Sequence, residues 1–284
     1  MGQIGRVYPS DLSEQQWKLI QNFIPNARTG GRPRTTDVRG VLNAVFYVNR
    51  SGCAWRYLPK EFPPWQTVFT YYARWRDEGV LKKIHDFLVT QVRLYESKKS
   101  SASVLIIDGQ STKAHWGATR GWDGFKKVRG RKRSIFVDTL GMIHSVYVDA
   151  ADRKDHISAL SMLNPETSHF PQSITYPLAA VLADGGYKAH DFQNLVQTRF
   201  DVWPTLTSSA TKKEPNLSRT LLASNLKPTR WIVERTFGWF NHYRRLSRDY
   251  ERKTNSSETM IHVAMTQLML NRLSRPKEAY ARWN

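Results

Sequence analysis

The chain has 284 residues, 40% of them apolar, with 10 Trp, 12 Tyr and 12 Phe, which is ample for a packed core and excludes a disordered chain. Lys and Arg number 43 against 24 Asp and Glu, and the resulting +19 calls for a polyanionic partner, nucleic acid ahead of an acidic membrane surface. No apolar run approaches the roughly 20 residues that span a bilayer, and Cys53, the only cysteine, excludes an internal disulfide and a multi-cysteine zinc site.

The opening Met1-Gly2-Gln3 lacks the apolar core of a signal peptide, and Arg6 stands where a myristoylation signal takes Ser or Thr, so a reducing compartment is expected. Leu12-Ser13-Glu14-Gln15-Gln16-Trp17 reads as a helix start in which Ser13 and Gln16 cap reciprocally. Trp17, Ile20, Phe23 and Ile24 follow at helical spacing, and Pro25 lies past the end. A second helix is expected from about Thr36 to Ser51, with Val38, Val41, Leu42 and Val45 on one face and Gly52 as its stop. Pro63-Pro64 opens a third that buries Val68, Phe69, Tyr72 and Trp75. A fourth carries Leu81, Ile84, Phe87, Leu88 and Val92. Ser97-Lys98-Lys99-Ser100-Ser101 is a polar break that suits a domain linker or a surface loop, and the expected division is a helical domain over 1–98 and a second domain over 102–284.

Beyond the break the pattern changes. Val104-Leu105-Ile106-Ile107 suits a strand buried on both faces. A basic loop follows, then RSIFVD (Arg133 to Asp138) and IHSVYV (Ile143 to Val148) flank a turn at Thr139-Leu140-Gly141-Met142. His156 to Leu163 reads as a helix, Ala179 to Ala183 as a second buried strand, Ala189 to Thr198 as a helix, and Val202-Trp203-Pro204 as a short strand end. Ser208 to Pro228 is a polar loop, and two helices close the chain, from Thr229 to about Arg248 and from Ser257 to Leu273.

Three acids stand out by position. Asp108 and Asp184 each end an apolar strand beside glycine, open to a ligand while the sheet holds the backbone; ordinary Asp-Gly turns are the alternative. Glu234 lies in a helix whose Trp231, Val233, Phe237 and Phe240 are apolar, with Arg230, Asn241 and Arg245 near the same stripe; a plain Glu–Arg helix pair is the alternative there. Three carboxylates without a Cys or His cluster suit oxygen-liking Mg²⁺ or Mn²⁺, and two such ions activate a nucleophile and stabilise the leaving oxygen in attack on phosphorus. Asp149, Asp152, Asp155 and His156 lack the glycine and distal Glu of a calcium loop and read as a strand end and a helix cap.

IDGQSTKAH (Ile107 to His115), GFKKVRGRKRSIFVDTLG (Gly124 to Gly141), ADGGY (Ala183 to Tyr187) and RWIVERTFGWFNHYRRLSRDYE (Arg230 to Glu251) occur in that order. With the front-end LSEQQW and GGRPR they make the sequence, from about Leu12 to Leu273, resemble the DDE transposases of bacterial insertion sequences, of the insertion sequence 5 family within the insertion sequence 4-like group. The resemblance implies a ribonuclease H-like mixed α/β sheet with flanking helices, preceded by an all-α, helix-turn-helix-like domain. It maps the catalytic and metal-holding triad onto Asp108, Asp184 and Glu234. It further implies a bacterial, cytoplasmic, nucleoid-associated enzyme that binds the terminal inverted repeats of its element as a homodimer, cleaves the ends with two Mg²⁺ or Mn²⁺ ions and joins them to target DNA. A structure-specific nuclease or a non-catalytic remnant are the rival readings. Related enzymes carry a Tyr-x₂-Arg-x₃-Glu-x₆-Lys signature; Arg230 matches its Arg, Lys227 stands at its Tyr and Asn241 at its Lys, so Arg245 is expected to supply the basic group.

The expected DNA contacts fall in four places. From Thr112 to Arg133 lie Lys113, Arg120, Lys126, Lys127, Arg129, Arg131, Lys132 and Arg133, interleaved with Trp116, Trp122 and Phe125, a pattern that neutralises phosphates and stacks on bases. Arg32 and Arg34 sit in a short basic arm suited to a minor groove. Gln66, Thr70 and Arg74 share the outer face of the third helix, as in major-groove readout. Arg230, Arg244 and Arg245 accompany the glutamate.

Overall fold

The computed structural model describes residues 8–27, 30, 33–164, 178–207 and 231–275. Arg32, Lys227, Arg230 and the loop expected at 208–228 lie outside the described residues. The chain divides into two compact units, Met1–Glu96 with Phe240–Ser247 and Thr259–Asn284, and Ser97–Trp239 with Arg248–Glu258. The C-terminal helix, grouped with the second domain on sequence, thus falls for most of its length in the first unit.

The first unit is helical: α1 (Glu14–Ile20), α2 (Val38–Ser51), α3 (Trp65–Asp77) and α4 (Val80–Tyr95). The Ser13–Gln16 capping box opens α1 as expected. Asp37 caps α2, and Gly52, at φ 74, ends it in the left-handed conformation that glycine adopts without strain. On α3, Val68, Tyr72 and Trp75 are buried, but Phe69 is not; it lies 40% exposed against the Trp55 ring. The link between α2 and α3, residues 52–64, is far longer than the three or four residues of a compact helix-turn-helix. Asn49, fully buried, donates to the Met260 carbonyl, and Gln16 donates to Asn271 and Ser274, so polar bonds tie the N-terminal helices to the C-terminal segment within this unit.

The second unit is built on a six-stranded sheet: β1 (Val104–Lys113), β2 (Gly121–Asp123), β3 (Val128–Val137), β4 (Ile143–Ala150), β5 (Ala180–Asp184) and β6 (Thr205–Thr207). Strands β2 and β4 both pair with β3, which pairs antiparallel with β1; β1, β5 and β6 are parallel. Helices α5 (Asp155–Leu163) and α6 (His190–Phe200) bury Ala159, Met162, Leu163, Phe192, Val196 and Phe200 in a cluster with Leu105, Ile107, Val181 and Ala183. This is the mixed α/β architecture expected. The expected basic loop after the first strand is a correction: β1 runs on to Lys113 and β3 starts at Val128, because the two strands pair all the way from Ile106–Val137 to Lys113–Gly130.

Helix α7 (Trp231–Phe240) is anchored to the β3–β4 turn, where Thr236 Oγ1 donates to the Gly141 carbonyl at 3.0 Å and Arg235 donates to that of Leu140. Gly141, at φ 79, lies so close that a Cβ would stand 2.8 Å from Thr236 Oγ1. The single helix expected to reach Arg248 breaks at residues 241–243 and resumes as α8 (Arg244–Ser247), followed by α9 (Thr254–Leu273). Among the described residues no helix is long and apolar enough to cross a membrane.

Candidate active site

Strand register sets the heights of the first two acids. The parallel β1–β5 pairing ends at Ile106–Leu182. Asp108 and Asp184 each lie two residues further on, so they stand at one level on neighbouring strands with the same parity, opposite to the parity of the buried Leu105, Ile107, Val181 and Ala183. Asp108 is not at the end of its strand, as the sequence suggested; it lies mid-strand, opposite Ile135 of β3, at the point where β5 leaves β1. Beyond this point β1 remains paired on one edge only, with β3.

The Asp108 carboxyl is pushed up from 3.8 to about 6. Burial is the largest cause; Asp184 and Glu234 add to it, while the Gly109 N–H, which donates to Oδ1 at 2.7 Å, and the Lys126 ammonium oppose it. Asp184 accepts from the Gly186 N–H at 2.8 Å, and Glu234 is exposed on α7. The all-oxygen donor set has the chemistry Mg²⁺ and Mn²⁺ prefer. Among the described residues, no three His, Cys, Asp or Glu side chains are gathered closely enough to hold a metal ion.

A pH dependence follows from the raised value. In metal-free protein the folded state keeps the Asp108 proton between 3.8 and about 6 while the unfolded chain has lost it, so stability falls as pH rises through that window. Asp108→Asn is expected to remove this slope and to unfold at higher urea than wild type at pH 7 in EDTA. Parallel urea midpoints for the two proteins from pH 4 to 7 would exclude the raised value.

The basic segment divides sharply. Lys113, Trp122, Lys126, Lys127 and Arg129 are exposed, Arg120 lies 4.5 Å over the exposed Trp116 ring, and Lys126 Nζ also donates to the Gly109 carbonyl. Arg131, Lys132 and Arg133, expected to meet DNA, are buried, and that expectation is corrected. Arg131 donates to Asp249 Oδ2 and to the carbonyls of Thr119, Glu251 and Arg252. Lys132 pairs with Asp155 at 2.7 Å. Arg133 is so desolvated, beside Arg131, that its guanidinium is pushed down to about 10 despite the opposing Asp249. None of the three has surface to offer a phosphate.

Elsewhere, Gln66 and Thr70 are exposed on α3, while Arg74 is half-buried, with its guanidinium 5.3 Å from the Tyr71 ring and 3.6 Å from Glu78. Arg34 is half-buried and donates to the Pro25 carbonyl rather than projecting as a free arm. Arg244 is exposed. Arg245 is a further correction: it is buried and donates to the Cys53 carbonyl at 3.1 Å, because the helix break at 241–243 invalidates the projection that aligned it with Glu234.

On sequence Asp155 reads as part of a strand end and helix cap. A Cβ on Gly109 would stand 3.2 Å from Asp155, and one on Gly186 would stand 3.0 Å from both Asp155 and Asp184. The expected helix cap is not formed, since α5 is capped by Lys154 without a side-chain bond. Asp149, next to last in β4, accepts from Ser158 Oγ at 2.9 Å.

A mixed sheet ordered β4-β3-β1-β5-β6, with acids level on its central parallel strands, defines a ribonuclease H-like enzyme domain. The family model described as "Transposase DDE domain" matches residues 99–269, and that described as "Putative transposase of IS4/5 family" matches residues 12–85. The chain belongs to the DDE transposases of IS4/5 type, polynucleotidyl transferases whose DDE domains generally use divalent metal ions. It is also similar to "Uncharacterized protein y4sN" of Sinorhizobium fredii (strain NBRC 101917 / NGR234), 31% identical over 104 residues, 37% of this chain and 77% of that protein.

Proposed function

We propose that this transposase binds the terminal inverted repeats of an insertion sequence, hydrolyses the element's ends and joins the freed 3′-hydroxyls to target DNA, working as a homodimer so that both ends are handled together. The observation that carries this reading is that Asp108 and Asp184 stand at one level on neighbouring parallel strands of a domain matched by the DDE transposase family model. To hold two Mg²⁺ or Mn²⁺ ions, the Asp108, Asp184 and Glu234 side chains would have to draw closer together than they stand here; the ions when bound would supply an activated oxygen nucleophile and charge stabilisation at the leaving oxygen. The lack of a side chain at Gly109 and Gly186 leaves room for the Asp155 carboxylate beside β1 and the end of β5. Lys113, Arg120, Lys126, Lys127 and Arg129 neutralise backbone phosphates next to the carboxylates, and the exposed Trp116 and Trp122 offer stacking faces.

The test is a duplex carrying a pre-cleaved element end with a free 3′-hydroxyl, mixed with a second duplex and Mg²⁺. The expected result is a covalent joint between the two. Nicking without joining would instead make the protein a nuclease, and neither reaction would leave a DNA-binding protein only.

A further inference from the structure

The turn between β2 and β3 is tied back onto the strand that carries Asp108. Asp123, the last residue of β2, accepts the Phe125 N–H at 3.1 Å and the Lys126 N–H at 2.9 Å on one carboxylate oxygen, and the Ser111 hydroxyl of β1 on the other. One short side chain thus closes the turn on itself and fastens it to β1 just beyond Asp108. Lys127, next in the turn, is held at φ 53, a left-handed backbone that a residue bearing a Cβ keeps only where its surroundings impose it.

This closure aims Lys126. Its Nζ donates at 2.8 Å to the carbonyl of Gly109, the residue that follows Asp108 on the same strand. A lysine beside two aspartates ordinarily pairs with one of them. Lys126 instead rests on a neutral main-chain oxygen, and among the described residues no carboxylate forms an ion pair with it. The side chain is exposed, so its positive charge is open to an incoming anion, and exchanging a carbonyl for a phosphate oxygen makes the bond stronger.

We propose that Lys126 holds the scissile phosphate itself, donating to a non-bridging oxygen, and that Asp123 is a positioning residue that sets Lys126 for this task through the turn. The inference rests on the transposase reading above and narrows this lysine from general phosphate neutralisation to one phosphodiester. It supplies the basic group that Arg245, buried against the Cys53 carbonyl, cannot. A cation fixed in advance beside the reacting phosphate costs no reorganisation as charge develops there.

Gel shifts in EDTA, on element-end duplexes carrying one uncharged methylphosphonate at a time, test this apart from any metal. At the scissile position the neutral linkage is expected to cost wild type about tenfold more affinity than it costs Lys126→Ala, the scale of one hydrogen bond to a charged group. At every other position the two proteins should respond alike. Asp123→Ala should lose the same selective response, Ser111→Ala, which cuts only the tie to β1, should weaken it, and Asp123→Asn, which keeps the turn's two N–H acceptors, should retain it. Equal responses of wild type and Lys126→Ala at the scissile position, or a larger difference at another phosphate, would overturn the assignment. A full wild-type response in Ser111→Ala, and in Asp123→Ala where it folds, would overturn the positioning role alone. Wild-type protein with no preference for element-end DNA over random duplex would overturn the reading on which this rests, and this inference with it.

Discussion

Asp108→Ala, Asp184→Ala and Glu234→Gln should each give a protein that binds element-end DNA and does not cut it in Mg²⁺. The physical ground is separate for the two functions. On the proposed reading cleavage would depend on carboxylates that hold the ions, and loss of that charge stabilisation would be worth several kcal/mol, a fall of about 10³-fold or more at tenfold per 1.36 kcal/mol. Binding would instead draw on phosphate neutralisation by the exposed Lys113, Lys126, Lys127 and Arg129, which the substitutions leave in place. Removing an acid beside a polyanion also lowers repulsion, so affinity is expected to hold or rise slightly. Glu234→Gln keeps shape and removes charge, so its loss of cleavage would speak for ligation over packing. Cleavage assays and gel shifts on the same labelled duplex measure both quantities, and wild-type cleavage by any one variant removes that residue from the site.

Much of this arrangement was legible in the sequence because it rests on short-range rules. The alternation of the capping and helical positions around Ser13, the αL stop at Gly52 and the all-apolar Val104 to Ile107 and Ala179 to Ala183 runs each follow from local chemistry. The two aspartates were legible for the same reason, as acids set at the edge of apolar runs. What the sequence could not reveal were partners distant along the chain. β1 continues to Lys113 only because β3 pairs with it, so its polar second half carries no strand signal of its own. Arg131 and Arg133 look like surface cations until the segment around Asp249, more than a hundred residues away, covers them. Arg245 was misplaced because an angular projection assumes an unbroken helix, and the break at 241–243 carries no proline or glycine to announce it. Asp155 was read as a cap because its relation to Gly109 and Gly186 exists only after β1, β5 and α5 meet.

The buried arginine makes the strongest stability prediction, and it separates two roles that composition alone confuses. Arg131 and Asp249 are 0% and 1% exposed in their side chains, with an N–O distance of 3.2 Å. Asp249 accepts from Ser257 Oγ and the Glu251 N–H as well, and the guanidinium satisfies carbonyls at Thr119, Glu251 and Arg252, so this pair clamps the chain after α8 to the outer part of β3 within the second unit. Arg131→Met removes the cationic partner of the buried Asp249 carboxylate and the donor to the carbonyls of Thr119, Glu251, Arg252 and Lys253. The expected cost is about 3–5 kcal/mol, the range for breaking a buried ion pair from one side. At roughly 2–4 °C per kcal/mol for a chain of this size class, the melting midpoint should fall by about 6–20 °C. Arg131→Lys is expected to recover only part of this, since a single ammonium cannot reproduce a fork that reaches five acceptors. Lys127→Ala with Arg129→Ala should do the reverse: melting nearly unchanged, and the dependence of DNA affinity on salt flattened by roughly 0.9 in log–log slope for each phosphate no longer neutralised. Were Arg131→Met to melt like wild type while its DNA affinity collapsed, the buried clamp would be refuted and the residue returned to the DNA-facing surface.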